Sequence, residues 1–377
     1  MKNQDNFQEN LLQNSSWNDL KPKKKKKRVK IILISVACVL VVSIVAAVVG
    51  GTLYIRSVLD FNFNEITSNP QELGFEEVKS DDIVNVALFG LDTRDPYSFE
   101  GRSDAIIVLS VNKTDGKIKL TSILRDSFVP IEKEDGTVYH ILNHAYFAGG
   151  PQLAIKTINQ VYDLDISEYA TVNFFGITSI VDAVGGIEIT FTEDELVYVN
   201  SAIDVFGKQL GLSFEENKIK KAGTQHVNGI QALGYTSVRS TANADGISKD
   251  YGRTDRQRYV LQQLFNKAVS MEKLQIINLI KALTPYCETS LSYTEMLGLA
   301  TNVLLQKPTF EEASIPSRSF LMKQPKNDVG DVLYYDLDYA SKVMHAFIYE
   351  DIKPENYIQQ NPIQKNDWYA EIRKAKQ

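Results

Sequence analysis

From Ile31 to Ile55 the chain runs for 25 residues without a charge, IILISVACVLVVSIVAAVVGGTLYI. A helix needs about 20 apolar residues to cross a hydrocarbon core of about 30 Å, so this run is long enough to span a bilayer. The ten residues before it, KPKKKKKRVK at 21–30, hold eight basic side chains. Such a cluster can be a nuclear address or a nucleic-acid patch. Abutting an apolar span, it reads instead as the cytoplasmic flank of a membrane anchor. A cleaved signal peptide is the rival, with Ala46 and Ala47 as its small residues. Its apolar core would measure about 7–15 residues, so the length here favours an uncleaved signal anchor. The expected organisation is a basic cytoplasmic tail over 1–30, polar and disordered through residue 20, and one transmembrane helix over 31–55. A stalk over 56–80 then leads to a large domain outside the cell.

Charge divides the same way. Residues 1–30 carry nine Lys/Arg against three Asp/Glu, a net of +6, while the remainder carries 32 against 44, a net of −12. A domain at −12 is a poor general nucleic-acid binder. Yet beyond Arg56 seven of nine arginines fall in short clusters: Arg94, Arg102, Arg125, Arg239, Arg253, Arg256 and Arg258. Guanidinium forks onto phosphate or carboxylate oxygens in a way ammonium cannot. Carboxylates accompany them: Asp92, Asp95, Asp104, Asp126, Asp250 and Asp255. The mixture points to a small anionic, phosphorylated ligand with a divalent cation; structural ion pairs would give the same composition. The two cysteines, Cys38 in the span and Cys287 outside it, exclude a disulfide framework and a cysteine zinc site. The four histidines form no HExxH pattern, and His140 and His144 have no evident third ligand.

Apolar runs predict strands at Ile83 to Phe89, Asp104 to Val111 and Lys117 to Leu124, the last two joined as a hairpin through NKTDG. Pro151 marks the start of a helix to about Tyr162. A strand at 169–175, a helix at 177–184 closed by Gly185-Gly186, and a strand at 187–191 follow. Residues 192–228 show little periodicity, and helices are expected at 229–236, 254–272, 273–283 and 294–306. Alternating elements indicate an α/β domain, a mixed central sheet with helices on both faces, over 81–325, with a C-terminal extension over 326–377.

Three motifs carry the chemistry. In GLDTRDPYSFEGRSDAIIVLSV (90–111), Asp92 follows one strand and Asp104 opens the next, so strand ends place both at one rim. Two carboxylates with open positions suit Mg²⁺ (or Mn²⁺), the rest of the shell coming from phosphate oxygens and water. In TSILRDSFVPI (121–131), Arg125 and Asp126 end the third strand. In YTSVRSTANADGISKDYGRTDRQRYVL (235–261), Arg253 pairs at helical spacing with Arg256 and Gln257.

These motifs resemble the LytR–CpsA–Psr family, single-pass membrane-anchored phosphotransferases of Gram-positive cell walls. The likeness spans roughly residues 80–325 and includes GGPQLAIKTINQVYDLDISEYATVNFFGITSIVDAVGGIEI. It implies an enzyme that moves a glycopolymer, with its proximal phosphate, from an undecaprenyl-pyrophosphate carrier to peptidoglycan. By resemblance, Asp92 and Asp104 are the magnesium aspartates and Arg102, Arg125, Arg239, Arg253 and Gln257 contact the pyrophosphate. Asp92, Asp104 and Arg125 form the catalytic set, and Arg94, Asp250 and Arg256 support it. One departure is Ser237-Val238-Arg239, where family members often carry Arg-x-Arg; Arg256 or Arg94 are the candidates to compensate. The insertion STANADGISK lengthens the loop before Asp250. The alternatives are a pyrophosphatase acting on the lipid-linked donor, a regulator, and a non-catalytic polymer-binding scaffold. About 30 cytoplasmic residues without a helix-turn-helix pattern argue against DNA binding.

Overall fold

The computed structural model describes residues 62–93, 95, 97–292, 294–296, 298–299, 309–317 and 332–363. The expected tail and membrane span, Arg94, and much of the helix expected at 294–306 lie outside the described residues. Among the described residues no helix is long and apolar enough to cross a membrane.

In chain order the elements are β1 (Asn62–Phe63), β2 (Ile83–Leu91), β3 (Ser103–Asn112), β4 (Ile118–Ile123), β5 (Phe128–Lys133), β6 (Gly136–Ile141), α1 (Asn143–Tyr162), β7 (Glu168–Asn173), α2 (Phe174–Ala183), β8 (Ile187–Phe191), α3 (Glu193–Leu210), α4 (Phe214–Asn217), β9 (Gly223–Val227), α5 (Gly229–Ser237), α6 (Lys249–Val269), α7 (Lys273–Leu283), β10 (Cys287–Thr289), β11 (Phe310–Ile315), α8 (Leu337–Tyr349) and α9 (Pro354–Gln360). Seven strands form one mixed sheet in the order β1-β10-β7-β2-β3-β4-β11. The three expected strands are its centre: β2 and β3 pair antiparallel, as do β3 and β4, and β7 lies parallel to β2. The β3–β4 turn closes as expected, with Asn112 N–H bonding Lys117 O at 2.9 Å.

The pleat sends alternate residues to opposite faces. Ala87, Phe89 and Leu91 of β2, Ile106 and Val108 of β3 and Tyr169 of β7 join one core with Ile155 and Ile158 of α1 and Val343, Met344 and Phe347 of α8. On the other side stands a second core. There the β8–β9 hairpin packs with α3, α5 and α6 through Ile187, Phe191, Val199, Ile203, Leu233 and Val260. Helices therefore cover both faces of a mixed sheet, as the alternation of elements implies.

Four differences from the sequence reading have physical causes. The helix expected from Pro151 begins at Asn143, and non-helical Gly149 and Gly150 (φ +65°) kink it just before the proline. The stretch 192–228 contains the 18-residue α3, whose stripe of Val199, Ile203 and Gly207 is narrow against a polar exterior. Its start is a capping box, with Thr192 N–H on Glu195 Oε2 at 2.8 Å and Glu195 N–H on Thr192 Oγ1 at 3.3 Å. The segment read as a C-terminal extension supplies α8, which closes the first core, and buried Tyr335, whose hydroxyl meets that of Tyr162 at 2.6 Å. The segment read as a stalk supplies Leu73 to that core, and Asn159 Nδ2 bonds its carbonyl at 2.8 Å.

Candidate active site

Between the sheet and the second layer of helices lies a cavity of about 550 Å³. Its floor is the pleat face left over by the first core: Leu88 and Gly90 of β2, Ala105 and Ile107 of β3, Ala170 and Val172 of β7. Its roof is Phe174, Ile177 and Ile180 of α2, Phe206 of α3, and Val260, Leu261 and Leu264 of α6. The small floor residues keep the space open. A Cβ on Gly90 would stand 2.9 Å from that of Ala105.

Polar groups gather at one end. Asp92 follows β2, Asp104 is the second residue of β3, Arg125 lies two residues past the end of β4, and all line the cavity. In the β2–β3 register Gly90 faces Ala105 while Leu91 faces Ser103, so Asp104 is the extra residue of a bulge. Bulges re-aim side chains at sheet ends. Arg239, just beyond α5, and Arg253 and Gln257, one turn apart in α6, approach from the opposite side. The rim thus assembles residues separated by up to 165 positions.

Arg125 pairs with Asp104 through Nη1 and lies 3.6 Å from Asp126 through Nε; Arg253 pairs with Asp250 at 2.7 Å. Burial alone would lower the pKa of Arg125, but Asp104 and Asp126 outweigh it and raise it. Arg253 goes the other way: burial first, then the Arg125 charge, push it below its ordinary value. Burial also raises Asp126, against the pull of Arg125. Arg125 Nε, Arg253 Nε and Gln257 Oε1 are buried without a hydrogen-bond partner. Each unmade bond costs about 1–3 kcal/mol, and native structures rarely leave such atoms unexplained. Two buried guanidinium Nε–H donors without a hydrogen bond fit the oxygens of an anion.

Not every expected residue reaches this place. Arg102 is exposed and stands over the Phe147 ring at 5.7 Å, outside the cavity lining. Asp250 pairs with Arg253 and does not line the cavity. Arg256 is a correction: it is fully buried, with Nε on Glu195 Oε1 at 2.8 Å, Nη1 on Val238 O at 3.0 Å and Nη2 on Thr241 O at 3.1 Å. It is a structural ion pair beneath the rim and does not compensate for Ser237, which itself lines the cavity. Arg258 is likewise committed, to Glu312 and Asp255. The inserted loop folds on buried Asn243, which bonds Asp255 at 2.5 Å.

Among the described residues no cluster of three or more His, Cys, Asp or Glu is placed to hold a metal. The protein offers two lining carboxylates, Asp92 and Asp104. At the rim Arg125, Arg239 and Arg253 stand against Asp92, Asp104, Asp126 and Asp250, three against four. That balance leaves no surplus positive charge for a polyanion. A divalent cation held by two carboxylates and the ligand's own oxygens fits this donor set.

A mixed sheet with an apolar cavity that ends in an arginine–aspartate rim defines the α/β domain. The LytR_cpsA_psr family profile matches residues 57–345, and the chain belongs to that family. It is 33% identical over 225 residues to the polyisoprenyl-teichoic acid–peptidoglycan teichoic acid transferase TagU of Enterococcus faecalis, covering 57% of this chain and 64% of that protein. It is 30% identical over 256 residues to biofilm regulatory protein A of Streptococcus mutans, covering 65% of this chain and 59% of that one. The chain thus spans under two thirds of the length of both relatives. The fold also matches YwtF (TagT), solved with octaprenyl pyrophosphate bound, at a TM-score of 0.54 and 20% identity over 76% of this chain and 99% of that one.

Proposed function

We propose that this protein is a membrane-anchored envelope phosphotransferase that links a polyprenyl-pyrophosphate-borne glycopolymer, a teichoic acid, capsule or similar polymer, to peptidoglycan. The observation that carries the reading is the two-part site, an apolar cavity of about 550 Å³ ending in Arg125, Arg239, Arg253 and Gln257 beside Asp92 and Asp104. The polyprenyl chain occupies the cavity and the pyrophosphate lies at the rim, where Arg125 Nε and Arg253 Nε acquire acceptors. The glycan and the peptidoglycan acceptor remain outside. A peptidoglycan hydroxyl oxygen attacks the glycan-side phosphorus, the new P–O bond forms, and the bridging P–O bond breaks. Polyprenyl phosphate leaves, its charge held by the arginines. A rim carboxylate, Asp104 or Asp92, receives the hydroxyl proton. Mg²⁺ or Mn²⁺ at Asp92 and Asp104 would neutralise charge on the transferring phosphoryl group.

The test uses the full chain in detergent with a short synthetic lipid-pyrophosphate glycan and peptidoglycan oligomers, products being followed by mass. A phosphodiester-linked adduct is expected. It should be lost with chelator, restored by Mg²⁺, and absent in Asp104→Ala and Arg125→Ala. Release of glycan phosphate without an adduct would instead identify a pyrophosphatase. Lipid binding without turnover would identify a scaffold.

A further inference from the structure

Beside the rim, outside the cavity lining, four side chains form a shelf. His140 at the end of β6 and His144 in the first turn of α1 stack with ring centroids 3.9 Å apart. Phe147, one turn further along α1, lies 5.7 Å from His144, while Arg102 stands over its ring at 5.7 Å. Phe147 is nevertheless 60% exposed. Two neighbours flank the ring while most of it stays exposed. The shelf is tied to the catalytic rim twice. Arg102 precedes Asp104 by two residues, and Asn143 N–H, beside His144, bonds Arg125 O at 3.1 Å.

His140 Nδ1 accepts from Ile141 N–H at 2.9 Å, leaving its Nε2–H as a donor, and His144 Nδ1 is buried without a partner. Burial lowers both imidazoles first. Arg102 and Lys133 add to it in each, as does His140 for His144, so the neutral form is favoured. An imidazole N–H donor beside an exposed aromatic ring recognises hydroxyl and amide groups on a ring with an apolar face. Arg102 and Lys133 add positive charge for a carboxylate.

We propose that His140, His144, Phe147 and Arg102, with Lys133 at the margin, form the acceptor subsite, and that it takes an N-acetylated glycan strand bearing carboxylates. The inference rests on the transferase reading for the acceptor's role, but binding by the shelf can be measured without transfer. A strand lying there presents its hydroxyls to the rim from outside, while the lipid approaches the same phosphorus from the cavity.

The experiment uses the full chain in detergent with two probes of equal length. One is an uncross-linked strand of alternating N-acetylglucosamine and N-acetylmuramic acid; the other is a chitooligosaccharide, which lacks the carboxylate. Calorimetry without donor gives the dissociation constant, and the transfer reaction gives acceptor and donor KM separately. Phe147 is exposed, so its truncation leaves the core intact. Phe147→Ala is expected to weaken muramyl-strand binding and raise acceptor KM roughly tenfold, the scale of a lost aromatic contact. Donor KM and kcat should stay unchanged, and Phe147→Tyr should restore affinity. Lys133→Gln should narrow the preference for the muramyl strand over chitooligosaccharide. Wild-type affinity in Phe147→Ala, or equal affinity for both probes in the wild type, overturns the proposal. Strand binding lost in Phe147→Ala without transfer in any variant would retain the shelf and remove the transferase reading. Transfer with an unaltered acceptor KM in Phe147→Ala would do the reverse.

Discussion

Removing Glu195 isolates a buried guanidinium, and the cost follows from the contacts. Glu195 and Arg256 are both 0% exposed, and Oε1 of the glutamate accepts from Nε at 2.8 Å and pairs with Nη2 at 2.7 Å. Two carbonyls, Val238 O and Thr241 O, complete the guanidinium shell but carry no charge. Breaking a buried pair by deleting one partner costs about 3–5 kcal/mol, because the surviving charge stays buried. Glu195→Ala also removes half of the capping box at Thr192, worth about 1 kcal/mol. A loss of about 5 kcal/mol is expected, which for a domain of this size lowers Tm by roughly 10–15 °C. The assay is urea denaturation followed by far-ultraviolet circular dichroism. The double variant Glu195→Leu/Arg256→Met should recover most of the loss, since the desolvation penalty disappears with both charges. A single-variant loss below about 1 kcal/mol, or a double variant no better than the single, would refute the placement of Arg256 as structural.

Three further outcomes are expected. His140 and His144 have folded pKa values below the ordinary 6.5, so the unfolded chain binds more protons. Their contribution is therefore constant above about pH 6.5 and falls as pH drops through that value. Thermal midpoints at pH 7.5 and 5.5 should differ less in His140→Gln/His144→Gln than in the wild type, and an equal difference would contradict the assignment. Burial pushes the Cys287 thiol up to about 12, so about one molecule in 10⁴ is thiolate at pH 8. In a Cys38→Ser background, thiol labelling should wait for denaturant; prompt native labelling would contradict the packing. Arg253→Lys keeps the charge but loses the planar fork and the buried Nε, so kcat for transfer should fall about a hundredfold, the scale of one lost transition-state donor. Near-normal turnover would place the pyrophosphate elsewhere.

The centre of the sheet was legible because β2, β3 and β4 are apolar runs between turn residues, and their ends carry Asp92, Asp104 and Arg125. The site was legible as far as chain order could place residues at strand ends and helix starts. What the sequence hid were partnerships at long separation. Arg253, Arg256 and Gln257 share a helical segment, and only the packing of α3, 61 residues away, separates the buried Arg256 from the other two. The α3 start was written as Thr192-x-x-Glu195, a signal present but obscured by the acidic turn around it. The β5–β6 hairpin turns at Glu134-Asp135, but Pro130 interrupts its strand pattern. The cavity floor needed strand order as well as pattern, because Leu88, Ala105 and Ala170 meet only once β7 lies against β2.

What fills that cavity decides the function. Equilibrium binding of a fluorescent polyprenyl pyrophosphate should be measured in wild type and in Ala105→Trp, whose indole projects from the floor into the lipid space, with inorganic pyrophosphate as competitor. The prediction is tight lipid binding in the wild type, at least a hundredfold weaker in Ala105→Trp, while the weak competition by pyrophosphate survives because every rim arginine and aspartate is retained. Unchanged lipid affinity in Ala105→Trp would contradict the account, since the polyprenyl chain would then lie somewhere other than between the sheet and α6.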